Sequence, residues 1–346
     1  MTMKALVLEA GGSEPDMAVK DVQIPELGSH DVLIEVAACG ICYHDIAVMQ
    51  GTLRRGVKPN VVLGHEISGR VADVGNSVAS VKAGDRVVTT LTTFCGICEN
   101  CLSGREYRCF DGQGIGHAID GGFAQFVKLP ENSLIALPDE IDLEDAAIFG
   151  CPMGVALQAM RDVAKLQAGE TALVTGAGGG LGVHAIQIAS ALGARVLAVT
   201  TSPEKLEALE QLASCEVILA DELDFSEIAL ALTEDQGVDV VVNNVGSAMF
   251  RSSLNSMTQF GRMVLLGEIT GERVSLNLAE VLFRDATIVG STGAGPRHIN
   301  EVIGMVGEKL IKPVVSHKFS MHEAATAYRL MRDKKTFGRV VLLPQD

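Results

Sequence analysis

The stretch Thr171 to Ser202 most constrains what this chain can fold into. A short apolar strand, Ala172-Leu173-Val174, runs straight into Gly176-Ala177-Gly178-Gly179-Gly180-Leu181-Gly182. Leu181, Ala185, Ile188 and Leu192 then recur at helical spacing, Gly193 is placed to end the helix, and Val196-Leu197-Ala198-Val199 reads as a second strand. Strand, glycine turn, helix and strand in this order predict a dinucleotide-binding unit. Gly176 suits the tight turn, Gly179 has no Cβ to hold phosphates away, and Gly182 lets helix and strand pack closely. Gly180 and Leu181 lead into a helix whose free N–H groups and partial positive charge attract an anion. A glycine-rich surface linker is the plain alternative, and the strand before and helix after argue against it.

The residues that end the second strand bear on which dinucleotide is held. An NAD site usually places Asp or Glu there to hold the ribose 2′-hydroxyl. Here the positions read Thr200-Thr201-Ser202-Pro203-Glu204-Lys205, with no carboxylate at the strand end. An acid would repel a 2′-phosphate, whereas the hydroxyls of Thr200, Thr201 and Ser202 and the cation of Lys205 accept one. NADP(H) is therefore expected over NAD(H). The same hydroxyls also suit the cap of a helix starting at Pro203, and one residue can do both.

With 346 residues and 47% hydrophobic content, the chain has room for about two domains. A formal charge of −15 argues against nucleic acid and anionic membrane surfaces as partners. No apolar run is long enough to span a bilayer. The opening Met1-Thr2-Met3-Lys4-Ala5-Leu6-Val7-Leu8 is too soon interrupted by Glu9 to read as a signal peptide, so a cytoplasmic location is expected. In that compartment eight cysteines read as metal ligands or thiols before disulfides.

Residues 1–140 are punctuated by Gly and Pro between short alternating segments such as Asp31 to Val36, Ile67 to Val74 and Asp85 to Val88, an all-β pattern. From about residue 142 helical and strand patterns alternate. Strands are expected at 171–175, 195–199, 216–219, 238–242, 260–266 and 286–290, with helices at 180–192, 203–212, 225–232, 247–255 and 277–283. This predicts a doubly wound domain with six parallel strands. The tail, strand 313–319, helix 321–332 and strand 338–343, is too short to fold alone and is expected to return to the first domain. The fold class is α/β, with a β-rich domain of residues 1–150 and 309–346 and a nucleotide-binding domain of residues 151–308.

Cys95, Cys98, Cys101 and Cys109 read C-x2-C-x2-C-x7-C, the most specific signal in the chain. Four thiolates in one loop make a closed tetrahedral zinc site, expected to be structural and to staple a lobe (95–109) with little apolar content. A second constellation is dispersed: Cys42 in Cys39-Gly40-Ile41-Cys42-Tyr43-His44-Asp45, His65 and Glu66 after Gly64, and Cys151 in Gly150-Cys151-Pro152. Two Cys and one His supply three protein ligands and leave a fourth position open, the pattern of a catalytic zinc, with Asp45 able to orient His65. Each of these residues taken alone is more often an ordinary buried side chain, and spacing does not prove that they meet. Cys39 and Cys215 are taken as buried thiols; His117, with Gly116 and Gly121-Gly122 nearby, is placed in a loop bordering the cleft and His184 on the helix after the glycine turn, and a structural role is expected for each before a catalytic one.

Together these residues resemble the zinc-containing medium-chain dehydrogenase/reductase superfamily of alcohol dehydrogenase type, over essentially the whole chain. The markers are Cys42, Gly64-His65-Glu66, the four-cysteine lobe, Cys151, the glycine turn and Gly338-Arg339-Val340. The resemblance implies a GroES-like catalytic domain, a Rossmann domain and a cleft between them. It implies Cys42, His65 and Cys151 as catalytic zinc ligands, with Glu66 able to approach the metal. It puts Arg339 on the cofactor pyrophosphate and Leu181 against the nicotinamide. Leu91, Met153 and Val155 fall where relatives line the substrate pocket, and Phe110 is expected to add to its apolar character. Two zinc ions per chain, a small-molecule substrate and a homodimer or homotetramer paired through strand 286–290 follow from the same resemblance.

Two positions depart from the superfamily. Its usual hydroxyl two residues after the first ligand is His44 here, and its usual relay histidine is Ala47. His44 is the candidate to move the proton in their place, since an imidazole titrates near neutrality. Within the superfamily, Cys42 to Asp45, Leu173 to Gly176 and Val199 to Ser202 look similar to archaeal NADPH-dependent acryloyl-coenzyme A reductases. The leading expectation is zinc-dependent hydride exchange between NADP(H) and an alcohol, aldehyde or ketone. The second is NADPH-dependent reduction of an activated C=C. A non-catalytic cofactor-binding protein is the third, and the intact Cys42, His65, Glu66 and Cys151 argue against it.

Overall fold

A computed structural model describes residues 1–13, 15–220 and 224–346. The chain forms two compact units: Met1–Gly154 with Gly293–Gly307 and Val315–Asp346, and Val155–Thr292 with Glu308–Val314.

The first unit is built on a seven-stranded sheet. Its order runs Val315–Ser320, Arg339–Leu343, Asp31–Gly40, Glu66–Val74, Arg86–Thr89 and Leu134–Ala136, and Phe126–Pro130 adds to Asp31–Gly40. Asp31–Gly40 is its spine, antiparallel to Glu66–Val74 on one side, with Cys39 opposite Ile67 and Gly40 opposite Glu66. Alternation puts Val32, Ile34 and Val36 into a core with Ile67, Val71, Phe123 and Leu129. A smaller sheet pairs Thr2–Ala10 with Asp16–Gln23 and Val61–Val62. The tail returns as expected: Arg339–Leu343 pairs antiparallel with the end of Asp31–Gly40, Leu342 opposite Cys39. This register sets Arg339 at the same end of the sheet as Gly40 and Glu66.

The second unit holds the six-stranded parallel sheet, ordered Glu216–Leu219, Arg195–Thr200, Thr171–Thr175, Val238–Asn243, Met257–Leu265 and Thr287–Gly290. The first-formed strand, Thr171–Thr175, lies at the centre, so the strand order reverses beside it. Its Ala172, Leu173 and Val174 are fully buried, which is why it reads as a continuous apolar run. Gly176 follows with φ +63°, a conformation that favours glycine. The helix Gly182–Ala191 starts where a Cβ on Gly182 would stand 2.2 Å from the Gly176 carbonyl oxygen, so only glycine allows that approach. Gly193 ends the helix with φ +86°.

Five expectations are corrected. The helix expected at 203–212 is a 3₁₀ turn, Pro203–Lys205, followed by the short helix Leu206–Glu210. The one expected at 321–332 likewise opens with a 3₁₀ turn, Met321–Glu323, before Ala324–Arg332. Residues 293–307, assigned from the sequence to the nucleotide-binding domain with no helix expected there, form the helix Pro296–Gly307 and belong to the first unit, because its buried face, His298, Ile299, Val302 and Ile303, lies against Leu134–Ala136 and Ala147–Phe149. Residues 308–314 then belong to the second unit. Gln187 both donates to the Lys312 carbonyl (3.0 Å) and accepts the Lys312 N–H (2.9 Å), and His184 Nε2 accepts the Val314 N–H (3.0 Å). His184 Nδ1 bonds the Gly180 carbonyl at 2.6 Å, so both its nitrogens are occupied structurally. Cys215, expected to be buried, is half-exposed at the mouth of its strand.

Candidate metal centres and active site

The four lobe cysteines gather as their spacing requires. Cys95 ends a loop, Cys98 precedes the short helix Glu99–Leu102 that carries Cys101, and a 3₁₀ turn, Glu106–Arg108, delivers Cys109. Their sulfurs lie within 4.8 Å of one another, with separations of 3.5 Å (Cys98–Cys101), 3.9 Å (Cys98–Cys109) and 4.0 Å (Cys95–Cys101). Four sulfurs held about 2.3 Å from one tetrahedral ion would stand about 3.8 Å apart, so the arrangement fits zinc. Backbone N–H groups already point at the sulfurs: Cys95 N–H at Cys109 (3.2 Å) and Cys98 N–H at Cys95 (3.3 Å). The Phe110 and Cys101 N–H groups lower the Cys98 thiol to about 6. Burial and the neighbouring thiols raise Cys101 to about 12. Ile97, Leu102 and Phe110 around the lobe are 80%, 76% and 70% exposed. Phe110, beside the lobe ligand Cys109, therefore stands out into solvent in this chain, contrary to the pocket-lining expectation.

The dispersed constellation also meets, within the first unit. The donor atoms of Cys42, His65, Glu66 and Cys151 all lie within 4.8 Å of one another. Cys42 precedes the helix Tyr43–Met49, His65 and Glu66 open the strand Glu66–Val74, and Cys151 precedes the helix Pro152–Leu157. Asp45, fully buried, aligns two of the four: its Oδ2 accepts the Cys42 N–H at 2.8 Å, and its Oδ1 faces His65 Nδ1 at 3.4 Å. Nδ1 thus turned to a carboxylate leaves Nε2 for the centre of the group. Gly40 makes room opposite, since a Cβ there would stand 2.1 Å from a Glu66 carboxylate oxygen.

Arg339 completes the arrangement in a way that motif reading did not show. Its Nε donates to Glu66 Oε2 at 2.9 Å, one terminal nitrogen donates to Oε1, and the same nitrogen lies 3.6 Å from Cys151 Sγ. Burial disfavours the guanidinium charge, but Glu66 and the two thiols outweigh it and hold Arg339 well above its ordinary value. Hydrogen bonding to Cys151 is the main cause that draws Cys42 well below the usual thiol range, and the same contact pushes Cys151 up. Burial raises Glu66, with Arg339 opposing it. With both thiols ionised beside the Glu66–Arg339 pair, two negative charges would stand uncompensated here, a severe cost that a dication would offset. Donor type, spacing and charge count all fit Zn²⁺.

His44, the half-buried neighbour of this group, stands edge-on to His65 with ring centres 5.1 Å apart. Burial and then His65 lower it below the ordinary imidazole value. Ala47 lies on the same helix. His117 comes from a distant loop to bring its ring centre within 5.3 Å of that of His44, a contact invisible in the sequence because the two lie 73 positions apart. Met153 and Val155 are buried. Leu91 is half-buried, packed toward Gly150.

In the second unit the glycine turn and the end of the neighbouring strand come together. The Lys205 side chain lies across Gly178, whose Cβ, if present, would be 2.5 Å from Lys205 Cδ. Thr200 and Ser202 are buried, with the Thr200 hydroxyl accepting the Ser202 N–H at 3.2 Å; Thr201 is half-exposed. Gly179 would tolerate only a tight Cβ, 3.3 Å from the Gly176 carbonyl oxygen, and Leu181 lies half-buried just before the helix.

Comparison with known proteins agrees with this reading. Residues 28–139 match the alcohol dehydrogenase GroES-like domain, and residues 180–308 match the zinc-binding dehydrogenase domain. The acryloyl-coenzyme A reductase of Metallosphaera sedula is 35% identical over 341 residues, 98% of this chain and 99% of the relative. That of Sulfurisphaera tokodaii is 33% identical over 343 residues, 99% of this chain and 100% of the relative. Among solved structures, an NAD-dependent alcohol dehydrogenase superposes with a TM-score of 0.93 at 33% identity, covering 99% of both chains. With both sets of cysteine ligands, the glycine turn and full-length relatives in agreement, the chain belongs to the zinc-containing medium-chain dehydrogenase/reductase superfamily of alcohol dehydrogenase type.

Proposed function

We propose that this oxidoreductase exchanges a hydride between NADP(H) and an alcohol, aldehyde or ketone, with one zinc ion at each cysteine centre. The observation that carries the reading is the convergence of Cys42, His65 and Cys151, with Glu66 drawn onto Arg339. Zinc held there supplies Lewis acidity toward a substrate oxygen, and the nicotinamide carries the hydride. Cys42 and Cys151 offset the metal charge, Asp45 keeps His65 Nε2 directed inward, and His44, edge-on to His65, takes or returns the hydroxyl proton. Leu91, Met153 and Val155 give the substrate pocket its apolar character. Nε and one terminal nitrogen of Arg339 hold Glu66, which leaves the other terminal nitrogen for the cofactor pyrophosphate. Gly176, Gly179, Gly180, Gly182 and Leu181 receive the rest of the cofactor, and a cytoplasmic setting keeps the thiols reduced.

A second reading, reduction of an activated C=C in an enoyl-thioester or alkenal, is favoured by Ala47, which removes the usual relay, and by the two acryloyl-coenzyme A reductases. A panel of alcohols, aldehydes, ketones, alkenals and an enoyl-thioester, followed by NAD(P)H absorbance, decides between them. Turnover of alcohols and carbonyls is expected, and His44→Ala is expected to lower it at least about tenfold with zinc content unchanged. Activity confined to the enoyl-thioester would install the second reading.

Three further outcomes are expected. Metal analysis should return two zinc ions per chain; Cys98→Ser should lower thermal stability, whereas Cys42→Ser should leave a folded, inactive protein. A single zinc in fully active enzyme would remove one centre. NADPH should be preferred, because the strand end at Thr200 to Lys205 carries no acid, and Thr200→Asp should move preference toward NADH. A wild-type preference for NADH would reverse this. Leu278, Leu282 and Phe283, 75%, 69% and 76% exposed, lie just before the edge strand Thr287–Gly290, and this apolar edge supports a homodimer or homotetramer. Light scattering showing only monomer at working concentration would exclude that assembly.

A further inference from the structure

Two enclosed imidazole nitrogens lie beside the Cys42–His65–Cys151 group and have no hydrogen-bond partner among the described residues: Nδ1 of His44 and Nδ1 of His117. The state of His117 follows from its other nitrogen. Nε2 stands 2.9 Å from the Arg55 carbonyl oxygen, which can only accept, so in the neutral ring Nε2 carries the proton. His117 Nδ1 is then a bare lone pair, buried and in need of a donor.

His44 is the nearest ring able to supply that donor. Two imidazoles joined N–H···N, with about 2.9–3.1 Å between nitrogens and roughly 1.1 Å from each nitrogen to its ring centre, stand about 5.1–5.3 Å apart. The His44 and His117 ring centres are 5.3 Å apart, with their planes inclined by 50°. The separation already suits the bond, and a turn of one ring aligns it. His65 offers His44 no alternative, since its Nδ1 faces Asp45 and its Nε2 faces the metal group. The one rival acceptor is Asp45 Oδ1, which also lacks an aligned partner.

We infer that His117 is a positioning residue that fixes His44 in the tautomer carrying its proton on Nδ1, leaving Nε2 bare as an acceptor for a substrate hydroxyl. The step is a choice between two neutral forms, with no proton gained or lost. The chain of fixed roles runs from the Arg55 carbonyl through His117 to His44. Ala47 leaves the helix without the superfamily's second station, and the loop residue His117 braces His44 instead. The kinetic consequence rests on the proposed oxidoreductase reading; the tautomer does not.

The test is nitrogen-15 NMR of the zinc-loaded protein with labelled histidine, in which eight side chains are to be assigned. His44 Nδ1 is expected to show the shift of a protonated ring nitrogen and Nε2 that of a bare one. A scalar coupling across the hydrogen bond should link the two Nδ1 atoms. In His117→Leu the His44 proton should redistribute to Nε2, whereas His117→Gln, which can donate to Arg55 and accept from His44, should retain it on Nδ1. Turnover should fall about tenfold to a hundredfold in the leucine variant and largely recover in the glutamine variant, with KM nearly unchanged. A wild-type His44 protonated on Nε2, absence of the coupling, or an Nδ1 proton that persists in His117→Leu and so belongs to Asp45, would each overturn the inference. The wild-type spectrum decides even where the leucine variant fails to fold. The expected tautomer in a protein that turns over nothing in the substrate panel would sink the reaction reading alone.

Discussion

The arrangement of the first unit turns on an electrostatic constraint. Cys42, Cys151 and Glu66 bring up to three negative charges together at one sheet end, and the permanent cation set against them among the described residues is Arg339. A buried ion pair of this kind is not an efficient source of stability, because desolvation cancels much of the attraction. Its effect is on geometry. Glu66 is held back by two bonds, so the space among Cys42, His65 and Cys151 is kept for an ion that brings the remaining two positive charges. Asp45 acts on the same group from the other side, tying the Cys42 backbone and the His65 ring to one carboxylate. Replacing either of these carboxylates would disturb two ligands at once.

The two metal centres use the same chemistry for different ends. In the lobe, four thiols and converging backbone N–H groups are arranged as an ion would need them, and the neighbouring Ile97, Leu102 and Phe110 remain in solvent. Such a loop has no core of its own, so coordination takes the place of apolar burial. In the sheet, three ligands come from three separate elements already fixed by a large apolar core around Ile34, Ile67 and Phe123. There the fold holds the ligands, and the ion is left with an open side.

Much of this was legible in the sequence because it rests on local rules. The glycine turn needs residues without Cβ at set places, and the four-cysteine spacing has few other uses. Alternating strands and helices specify a parallel sheet, and the observed order places Thr171–Thr175 at its centre. What was not legible depends on approach in space. Nothing in the spacing of Glu66 and Arg339 shows that they bond, since 273 residues lie between them. His117 carried no motif and reaches His44 only because its loop folds back. Phe110 looked like a pocket residue by composition, yet it stands in solvent beside Cys109. The helix Pro296–Gly307 lies within the stretch assigned to the parallel domain but carries an apolar face shaped for the other unit. Periodicity reports that a face is apolar and does not report which neighbour will cover it.

The return of the tail to the first sheet has a consequence for how the protein is made. On the ribosome, Glu66 emerges long before Arg339, and the entire parallel-sheet unit is synthesised between them. Domains fold as they appear, at about 5–20 residues per second, so Glu66 waits on the order of tens of seconds for its counter-charge. During that interval the sheet end holds two thiols, an imidazole and an uncompensated carboxylate, with the strand Arg339–Leu343 still missing from its place beside Asp31–Gly40. The lobe, complete by Cys109, has all its ligands in hand almost from the start. Vectorial synthesis therefore orders the two centres in time: the enclosed one can take its ion early in translation, and the open one reaches its finished charge balance only when the last strand arrives.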